Sequence, residues 1–453
     1  MSRRLVALVL ALSIAALVTT ASSCSSGGAR AAAAEGPARV DSRSTHGAAH
    51  RTAHAPAPRA VVWIGGDVLA DPRLRESAVA WGDAPAGLAH MIAPIADRWR
   101  EDADDAVVLL NMESPVAWTR YGSDHFLDLP SEHARVRAPL NAPAWVLEGL
   151  AAAGVDAVVL ANNHTLDQTR EGLGETLDAV DAAGLVAVGA GRAPDIRGPL
   201  VVGPPGARTA VLAFVERDYA EPEGLTPGEP GVSVLDSGAI ALVRDAARAN
   251  DAVIVTVHVV AELRDWVSST WRTWADGLID AGADAIIVHG THVVGPVERV
   301  RRNGRDVIVA WSLGNFMSDM GRSATPHRTE PDDASKWQQA RTREGLVARV
   351  EVRAAPGGAR VVVRFVPIWL SSDRYLVERR ILAKPYHFSL ITPSRCATPE
   401  LPETWPEPER AAARAWIRSR LEHILSISKL EPRPCDEAPW LELPSADETE
   451  APR

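Results

Sequence analysis

Carboxylate, amide and imidazole side chains recur in this sequence where apolar, strand-like runs end. The positions are Asp67, Asn111, Glu113, Asn163, His164, His258, Glu262, His289 and His292. The carboxyl ends of parallel strands converge on one edge of a sheet, where ligand crevices form, so these side chains can meet. Oxygen and imidazole ligands suit Mn, Zn or Fe better than metals that select thiolates. Such ions polarise a phosphoryl or carbonyl oxygen and generate hydroxide for hydrolysis.

Each of these residues taken alone has a simpler interpretation. An aspartate at a strand end is usually a helix cap or a turn residue. A single histidine beside a strand is more often a hydrogen-bonded structural residue than a ligand. The ordered series over several strand ends favours a metal site.

The elements that must position these residues alternate along the chain from residue 60. Apolar runs predict strands at 60–67, 105–113, 156–164, 185–191, 208–215, 251–259, 284–292, 345–353 and 359–370, and helical patterns cover 142–154, 172–184, 271–282 and 408–426. Continuous apolar strands joined by helices predict a sheet covered on both faces. The Asn303-Gly304 turn predicts a hairpin. The α/β fold therefore contains a mixed sheet or two sheets.

Composition limits the functions open to this chain. The 453 residues carry a net charge of −10, which disfavours nonspecific binding to nucleic acid or to an anionic membrane. No Gly-Lys-Ser/Thr phosphate loop and no Gly-x-Ser-x-Gly nucleophile elbow occurs in the sequence. Hydrophobic residues make up 46% of the chain, enough for a large core.

The N-terminus predicts export. Arg3 and Arg4 precede an apolar run that is typical of a signal peptide and short for a membrane span. The following small residues end at Cys24, as in a bacterial lipobox, although Ala21 stands where leucine is usual. A lipid anchor at Cys24, plain secretion and a retained membrane anchor remain alternatives. All three place the folded part outside the cytoplasm.

Four segments are predicted. They are a signal peptide with lipobox at 1–24, a disordered linker at 25–59, the main domain at 60–375 and a C-terminal extension at 376–453. In an oxidising compartment Cys396 and Cys435 could form a disulfide, although free thiols remain an alternative.

The motif series GGD, NMESPV, ANNHTLD, HVVAE, LIDAGADAIIVHGTHVVGPVE and WSLGNF resembles the CapA family of bacterial poly-γ-glutamate capsule synthesis proteins. The resemblance runs from about residue 61 to 320. It implies a fold similar to the calcineurin-like metallophosphoesterases, a four-layer α-β-β-α sandwich of two mixed sheets. In that superfamily, an aspartate, an Asn-His pair and late histidines bind two metal ions.

The resemblance also implies roles for individual residues. Asp67 matches the first metal carboxylate, Glu113 a bridging or second-site ligand, and Asn163 a metal amide ligand. His164 matches a residue that donates a proton or a hydrogen bond to the transition state. The late ligand positions fall on His258, His289 and His292.

Four further residues are expected in the same pocket. They are Asn111, Asp167, Glu262 and Asn315. Asp167 could equally cap the following helix, and Asn315 could equally stabilise a turn. The sequence departs from the family pattern because Asp67 is followed by Val68 and Leu69, without the usual Asp-x-His histidine. The expectation is therefore one or two ions of Mn, Zn or Fe.

Three hypotheses follow for function. The first is a cell-surface, metal-dependent hydrolase that cuts a phosphoester or the amide of a γ-linked glutamate polymer. The second is a non-catalytic factor for the synthesis, export or anchoring of an anionic capsule polymer, acting with capsule-synthesis proteins. The third is a structural surface protein with a decayed site. The retained acids, amides and imidazoles argue against the third.

Overall fold

The computed structural model describes residues 57–102, 106–117, 140–216, 225–321, 340–385, 387–395, 397–399, 401–434 and 440–444. The signal peptide, almost all of the linker, the lipidation candidate Cys24 and the disulfide candidates Cys396 and Cys435 lie outside these ranges. Among the described helices, none combines the length and the apolar character needed to cross a membrane.

Strands and helices alternate through most of the chain. The strands are β1 (Arg59–Val68), β2 (Ala106–Met112), β3 (Ala157–Val159), β4 (Val186–Val188), β5 (Ala190–Arg192), β6 (Leu200–Val202), β7 (Thr209–Val215), β8 (Pro230–Val232), β9 (Ala252–His258), β10 (Ala285–His289), β11 (Val297–Arg302), β12 (Arg305–Ala310), β13 (Asn315–Met317), β14 (Glu344–Ala355), β15 (Gly358–Ser372), β16 (Phe388–Ile391), β17 (Glu431–Pro432) and β18 (Leu441–Glu442). The helices are α1 (Pro72–Ala80), α2 (Ala84–Arg100), α3 (Trp145–Ala152), α4 (Thr169–Ala182), α5 (Ser237–Ala249), α6 (Ser269–Ala281), α7 (Arg374–Glu378) and α8 (Glu407–Ser428), with short 3₁₀ turns at Asp195–Arg197 and Ala340–Arg343.

Two large mixed sheets organise these strands. The first has ten strands in the order β17-β18-β15-β14-β1-β2-β3-β4, with β13 also paired to β1 and β16 to β15. The second has six, in the order β11-β12-β10-β9-β7-β6, and β5 pairs with β8 in a small separate ladder. In the first sheet β1, β2, β3 and β4 are mutually parallel, and in the second β7, β9, β10 and β12 are mutually parallel.

Alternation along the second sheet shows how the layers stack. In β7, Val211 and Ala213 belong to the core shared with the first sheet. The intervening Leu212 and Phe214 pack into a separate core with α5 and α6. Side chains of α2, α3 and α4 join the core around the first sheet. The predicted four-layer α-β-β-α sandwich of two mixed sheets is therefore confirmed.

Local sequence signals fix the helices of the outer layer. The Asp236 side chain accepts a hydrogen bond from Ala239 N at the start of α5, and Ser268 does the same for Trp271 N at the start of α6. The α6 helix stops at Gly282, whose φ of 122° suits glycine. These caps fix where the α5 and α6 helices begin and end beside β9 and β10.

The predicted C-terminal extension adds strands to the first sheet. The β16 and β18 strands both pair with β15. Leu421 and Ile424 of α8 are buried in the main core. The described part of this segment therefore covers one end of the first sheet.

Two arginines of the β11-β12 hairpin are paired with acids of α6 and of the segment that follows it. Arg302 pairs with Asp276 and Asp280, and Arg305 pairs with Asp284. These contacts favour exposed structural charge at the hairpin over binding of an anionic polymer.

We predict that a buried ion pair under the first sheet is important for stability. The Arg349 guanidinium donates to both oxygens of Asp102 at 2.7 and 2.8 Å and to Glu351 at 2.5 Å. Removing one partner of a buried pair leaves an uncompensated charge, so Arg349→Met should lower the free energy of unfolding by about 3 kcal/mol at pH 7. Chemical denaturation measures this loss. Arg248→Met, which breaks an exposed pair with Asp245, is the control and should cost less than about 1 kcal/mol.

The Arg349–Asp102 ion pair should also make the free energy of unfolding depend on pH. Burial opposes ionisation of Asp102, but the hydrogen bonds and charge of Arg349 hold the pKa of this carboxyl below its usual value. The stabilisation should be complete above about pH 4, where unfolded aspartate ionises, and disappear as the pH falls through the folded pKa. A gap between wild type and Arg349→Met that stays constant down to acid pH would contradict this account.

Candidate metal centre

The carboxyl ends of strands from both sheets bring the predicted residues together. Asp67 near the end of β1 is in register with Asn111 of β2 on one side and with Asn315 of β13 on the other. In the second sheet, His258 and His289 end neighbouring parallel strands and are also in register. Side chains from both sheets therefore meet at one edge of the sandwich.

Asp67 is fully buried, and both of its carboxylate oxygens accept hydrogen bonds. Asn111 Nδ2 donates to Asp67 Oδ1 at 2.7 Å, and the backbone N–H of Gly290 donates to Oδ2 at 3.1 Å. His292 Nδ1 lies 3.1 Å from Oδ2, and His289 Nδ1 lies 3.9 Å from Oδ1. These groups hold one carboxylate at the bottom of the site.

Glu113, just after β2, is buried without such compensation. Its Oε1 lies 3.7 Å from Nε2 of His164, His258 and His292 alike. Neither carboxylate oxygen has a hydrogen-bond partner among the described residues. Three imidazoles therefore surround an oxygen at distances too long for direct hydrogen bonds.

His164 and Asp167 form a dyad in the loop between β3 and α4. His164 Nδ1 lies 2.7 Å from Asp167 Oδ2, which also accepts the backbone N–H of Leu140 at 2.6 Å. The His164 side chain is 16% exposed, whereas the Asp167 side chain is buried. The dyad leaves His164 Nε2 directed towards Glu113. The alternative role of Asp167, a side-chain cap on α4, does not occur, because the helix has none.

The two adjacent amides of the ANNH motif are used differently. Asn162 is buried; its Nδ2 donates to Met112 O at 2.9 Å and its Oδ1 accepts from His164 N at 3.1 Å. Asn163 Oδ1 is buried without a partner among the described residues. Asn162 is therefore a structural link between two strand ends, and the Asn163 oxygen remains available to a ligand. Asn162 was not among the predicted site residues; the doubling of asparagine in the motif is the available signal.

Asn315 fixes the orientation of His292. Asn315 Nδ2 donates to Thr342 O at 2.8 Å, which turns Oδ1 towards His292 Nδ1 at 3.0 Å. Acceptors on the Nδ1 side keep Nδ1 protonated and direct Nε2 of His292 towards Glu113. His292 itself has a positive φ of 60°. A strained residue held in this way is typical of a functional site.

The buried charges shift one another's pKa values strongly. Burial raises the pKa of Glu113 to about 7, with Asp67 adding to the shift. Burial alone would lower the pKa of His292, but Glu113 and Asp67 raise it to about 10. Burial lowers the pKa of His258 to about 3 and also lowers that of His289. Burial opposes protonation of His164, but Asp167 raises its pKa overall.

The donor set fits a divalent metal ion. One ligand atom each from Asp67, Glu113 and His292 lies within 4.8 Å of the others, and all three residues are buried. The Glu113 oxygens, Asn163 Oδ1 and both nitrogens of His289 are buried without hydrogen-bond partners among the described residues. Buried polar atoms are normally paired, so this concentration of unpaired polar atoms, most of them acceptors, points to a cation. Carboxylate, amide and imidazole donors suit Mn, Zn or Fe.

Residues at the edge of the site differ in their exposure. Glu262 is exposed, although its charge helps to raise the pKa values of Glu113 and His292. Of the tryptophans after His258, Trp266 is 55% exposed, whereas Trp271 is buried against the second sheet. Trp271 is therefore a core residue.

We predict that Gly290 cannot be replaced without disturbing the site. Its φ is 94°, and a Cβ atom would lie 2.1 Å from Val259 O and 2.7 Å from His258 Nε2. Gly290→Ala should lower the free energy of unfolding by roughly 2–4 kcal/mol, because backbone strain and the clash add together. Gly304→Ala is the matched control: its φ is 75°, but nothing lies within 4 Å. Equal losses in the two variants by chemical denaturation would argue against close packing at Gly290.

Comparison with known proteins places this geometry in a family. The family described as bacterial capsule synthesis protein PGA_cap matches residues 61–320. The capsule biosynthesis protein CapA of Bacillus anthracis is 31% identical over 194 residues, which cover 41% of this chain and 46% of that protein. A probable polyglutamine synthesis accessory protein of Mycobacterium tuberculosis is 28% identical over 303 residues, covering 57% of this chain and 74% of that protein.

The coverage and the structural matches limit what these relatives imply. The PGA biosynthesis protein CapA of Bacillus subtilis is 30% identical, but the match covers 36% of this chain and 43% of that protein. The chain thus spans less than half the length of the two Bacillus relatives. A hypothetical protein of Thermus thermophilus and a 5'-nucleotidase of Candida albicans match at 17% and 9% identity, covering 68% and 82% of this chain and 99% and 59% of theirs. Their TM-scores are 0.35, too low to support a conclusion about the function of this chain. The family match covers more than half of the sequence and includes every strand end at the site, so the chain belongs to the bacterial capsule synthesis protein family PGA_cap.

Proposed function

We propose that this protein is a metal-dependent hydrolase of the bacterial cell surface that acts in the synthesis of an anionic capsule polymer. Its substrate would be a phosphoester or a γ-glutamyl amide. The observation that carries the proposal is the buried group of Asp67, Glu113 and His292, whose ligand atoms lie within 4.8 Å of one another. Two buried carboxylates so close together are stabilised by a nearby positive charge, which a bound metal ion would supply. Such an ion can also catalyse the hydrolysis of a stable bond.

The residues that would hold the ion form a central group and a set of additional donors. Asp67, Glu113 and His292 form the central group. His289 and Asn163 supply further buried atoms without partners among the described residues. When bound, an Mn, Zn or Fe ion would polarise the phosphoryl or carbonyl oxygen and stabilise the charge that develops there.

His164 is the residue best placed to move a proton. Its Nε2 lies beside Glu113, and its side chain is partly exposed, at 16%, so a substrate can reach it. Burial opposes protonation of the ring, but Asp167 accepts from Nδ1 and raises the pKa of His164 overall, which favours the protonated form. His164 would donate this proton to the leaving group, while Asp167 positions the ring.

The names of the relatives support a role in capsule synthesis. Two Bacillus relatives are named for capsule or PGA biosynthesis, and the mycobacterial relatives for polyglutamine synthesis. Such polymers lie outside the cytoplasm, in agreement with the signal sequence and the lipid anchor expected at Cys24. Capsule-synthesis proteins would then be its partners.

The second candidate is a non-catalytic factor in synthesis, export or anchoring of the polymer. The description "accessory protein" of the mycobacterial relatives favours it. The ion would then be structural or would bridge polymer carboxylates. This candidate requires polymer binding that survives loss of His164.

We predict that the purified extracytoplasmic part contains Mn, Zn or Fe, measurable by elemental mass spectrometry. Removal by a chelator should lower the melting temperature, because Asp67 and Glu113 then lose their counter-charge. Glu113→Gln should retain less metal than wild type, because an amide is a weaker ligand than a carboxylate. Full metal content in Glu113→Gln would exclude this carboxylate as a ligand.

We predict that His164→Gln lowers kcat by roughly 10²–10⁴ while metal content and melting temperature stay near wild type. Initial rates on a panel of phosphoesters and on poly-γ-glutamate provide the measurement. His90→Gln, at an exposed histidine whose ring lies tilted against Trp81, is the control and should keep full activity. Unchanged turnover in folded His164→Gln would refute the hydrolase, and polyglutamate binding by an inactive wild type would favour the accessory factor.

A further inference from the structure

A chain of side-chain amides links the backbone to one histidine of the site. The orientation of Asn162 is set by two backbone groups: its Oδ1 accepts from His164 N and its Nδ2 donates to Met112 O. The same Nδ2 lies 3.5 Å from Asn111 Oδ1. Because backbone N–H and C=O groups have fixed polarity, the oxygen and nitrogen of Asn162 cannot be exchanged without losing both bonds.

The orientation of Asn111 follows from two independent contacts. Its oxygen faces the donor of Asn162, and its Nδ2 lies 2.7 Å from Asp67 Oδ1. An ionised carboxylate only accepts hydrogen bonds, so a flipped amide would place two acceptors in contact. Asn111 therefore turns its NH₂ group towards Asp67.

The same NH₂ group faces His258. Asn111 Nδ2 lies 3.2 Å from His258 Nδ1. An amide nitrogen only donates, so Nδ1 must accept and cannot carry a proton. A neutral imidazole with Nδ1 as acceptor carries its hydrogen on Nε2. That Nε2 is buried, has no hydrogen-bond partner among the described residues, and lies 3.7 Å from Glu113 Oε1.

We propose that Asn162 and Asn111 fix His258 as the Nε2–H tautomer, so that His258 presents a hydrogen-bond donor to the centre of the site and does not coordinate a metal ion through Nε2. Coordination through Nε2 would move the proton to Nδ1, opposite the Asn111 NH₂ group, and create a donor–donor contact. The tautomer stands on the hydrogen bonds alone. Its use in the site, as a donor to a substrate oxyanion, rests on the proposed function.

The other two histidines around Glu113 have the opposite arrangement. His164 Nδ1 faces the Asp167 carboxylate, and His292 Nδ1 faces oxygens of Asp67 and Asn315. Acceptors on the Nδ1 side place a proton there and direct Nε2 into the site, the pattern found behind metal-binding histidines. Accordingly, the close group of ligand atoms includes His292 but not His258.

The wild-type tautomer is measured by long-range ¹H–¹⁵N correlation spectra of the metal-free full chain, with the His258 ring assigned from the His258→Gln spectrum. We expect a protonated Nε2 and an unprotonated Nδ1. A protonated Nδ1 with a bare Nε2 overturns the proposal, whatever any variant does.

The Asn111→Asp variant tests whether Asn111 sets the tautomer of His258. It replaces the donor facing His258 with an acceptor, so the ring should acquire a proton on Nδ1. Asn303→Asp makes the same chemical change in the hairpin turn, where φ is 52°, and should leave the ring as in wild type. A folded Asn111→Asp protein with an unchanged His258 ring would overturn the role of Asn111.

Metal-binding measurements test, without any assay of activity, whether His258 is excluded as a metal ligand. By titration with Mn²⁺ or Zn²⁺, His258→Gln should bind within about threefold of wild type, whereas His292→Gln should lose at least tenfold in affinity. Equal losses in both variants would overturn the proposal. A wild-type protein that binds no metal would remove the proposed function, while the ring spectrum would still decide the tautomer.

Discussion

Two buried carboxylates placed at neighbouring strand ends are the constraint on which the site depends. Burying a charge is costly unless it is paired. Asp67 is compensated by Asn111, Gly290 and His292, but Glu113 has only imidazoles at 3.7 Å. The pKa of about 7 at Glu113 and of about 10 at His292 express this imbalance. A cation among these groups would relieve it, which is why the same residues that destabilise the apoprotein are suited to bind metal.

The backbone around the site is irregular, and this irregularity places the buried side chains in the site. The pairing of β1 with β2 shifts register between Gly65 and Asp67, and a Cβ atom on Gly66 would lie 1.9 Å from Gly314 O. Such an irregularity turns a side chain at a strand end. Gly290 and His292 both have positive φ values, and Gly290 N contributes to holding Asp67. The two packed sheets keep this local strain in place.

The sequence predicted the sheets well because buried parallel strands appear as continuous apolar runs. Four helices were missed: α1, α2, α5 and the short α7. In α2 the prolines at 85 and 94 hide an otherwise apolar helix. The strand predicted at 156–164 ends at Val159, because Asn162 and Thr165 capture nearby backbone groups and turn the chain. Most of the candidate site residues could be identified because they stand at or just beyond a strand end, whereas Asp167 and Asn315 were identified from the family motifs.

What the sequence could not provide is the role of each histidine. The partner of His164 Nδ1 is three residues away, so that dyad is visible in ANNHTLD. The partner of His292 is 23 residues away and that of His258 is 147 residues away, and both contacts exist only after the sheets have formed. One of these partners presents an oxygen and the other a nitrogen, although both are asparagines. Residue type and position therefore identify the site, but long-range amide orientation decides whether Nδ1 of His258 or of His292 faces a hydrogen-bond donor or an acceptor.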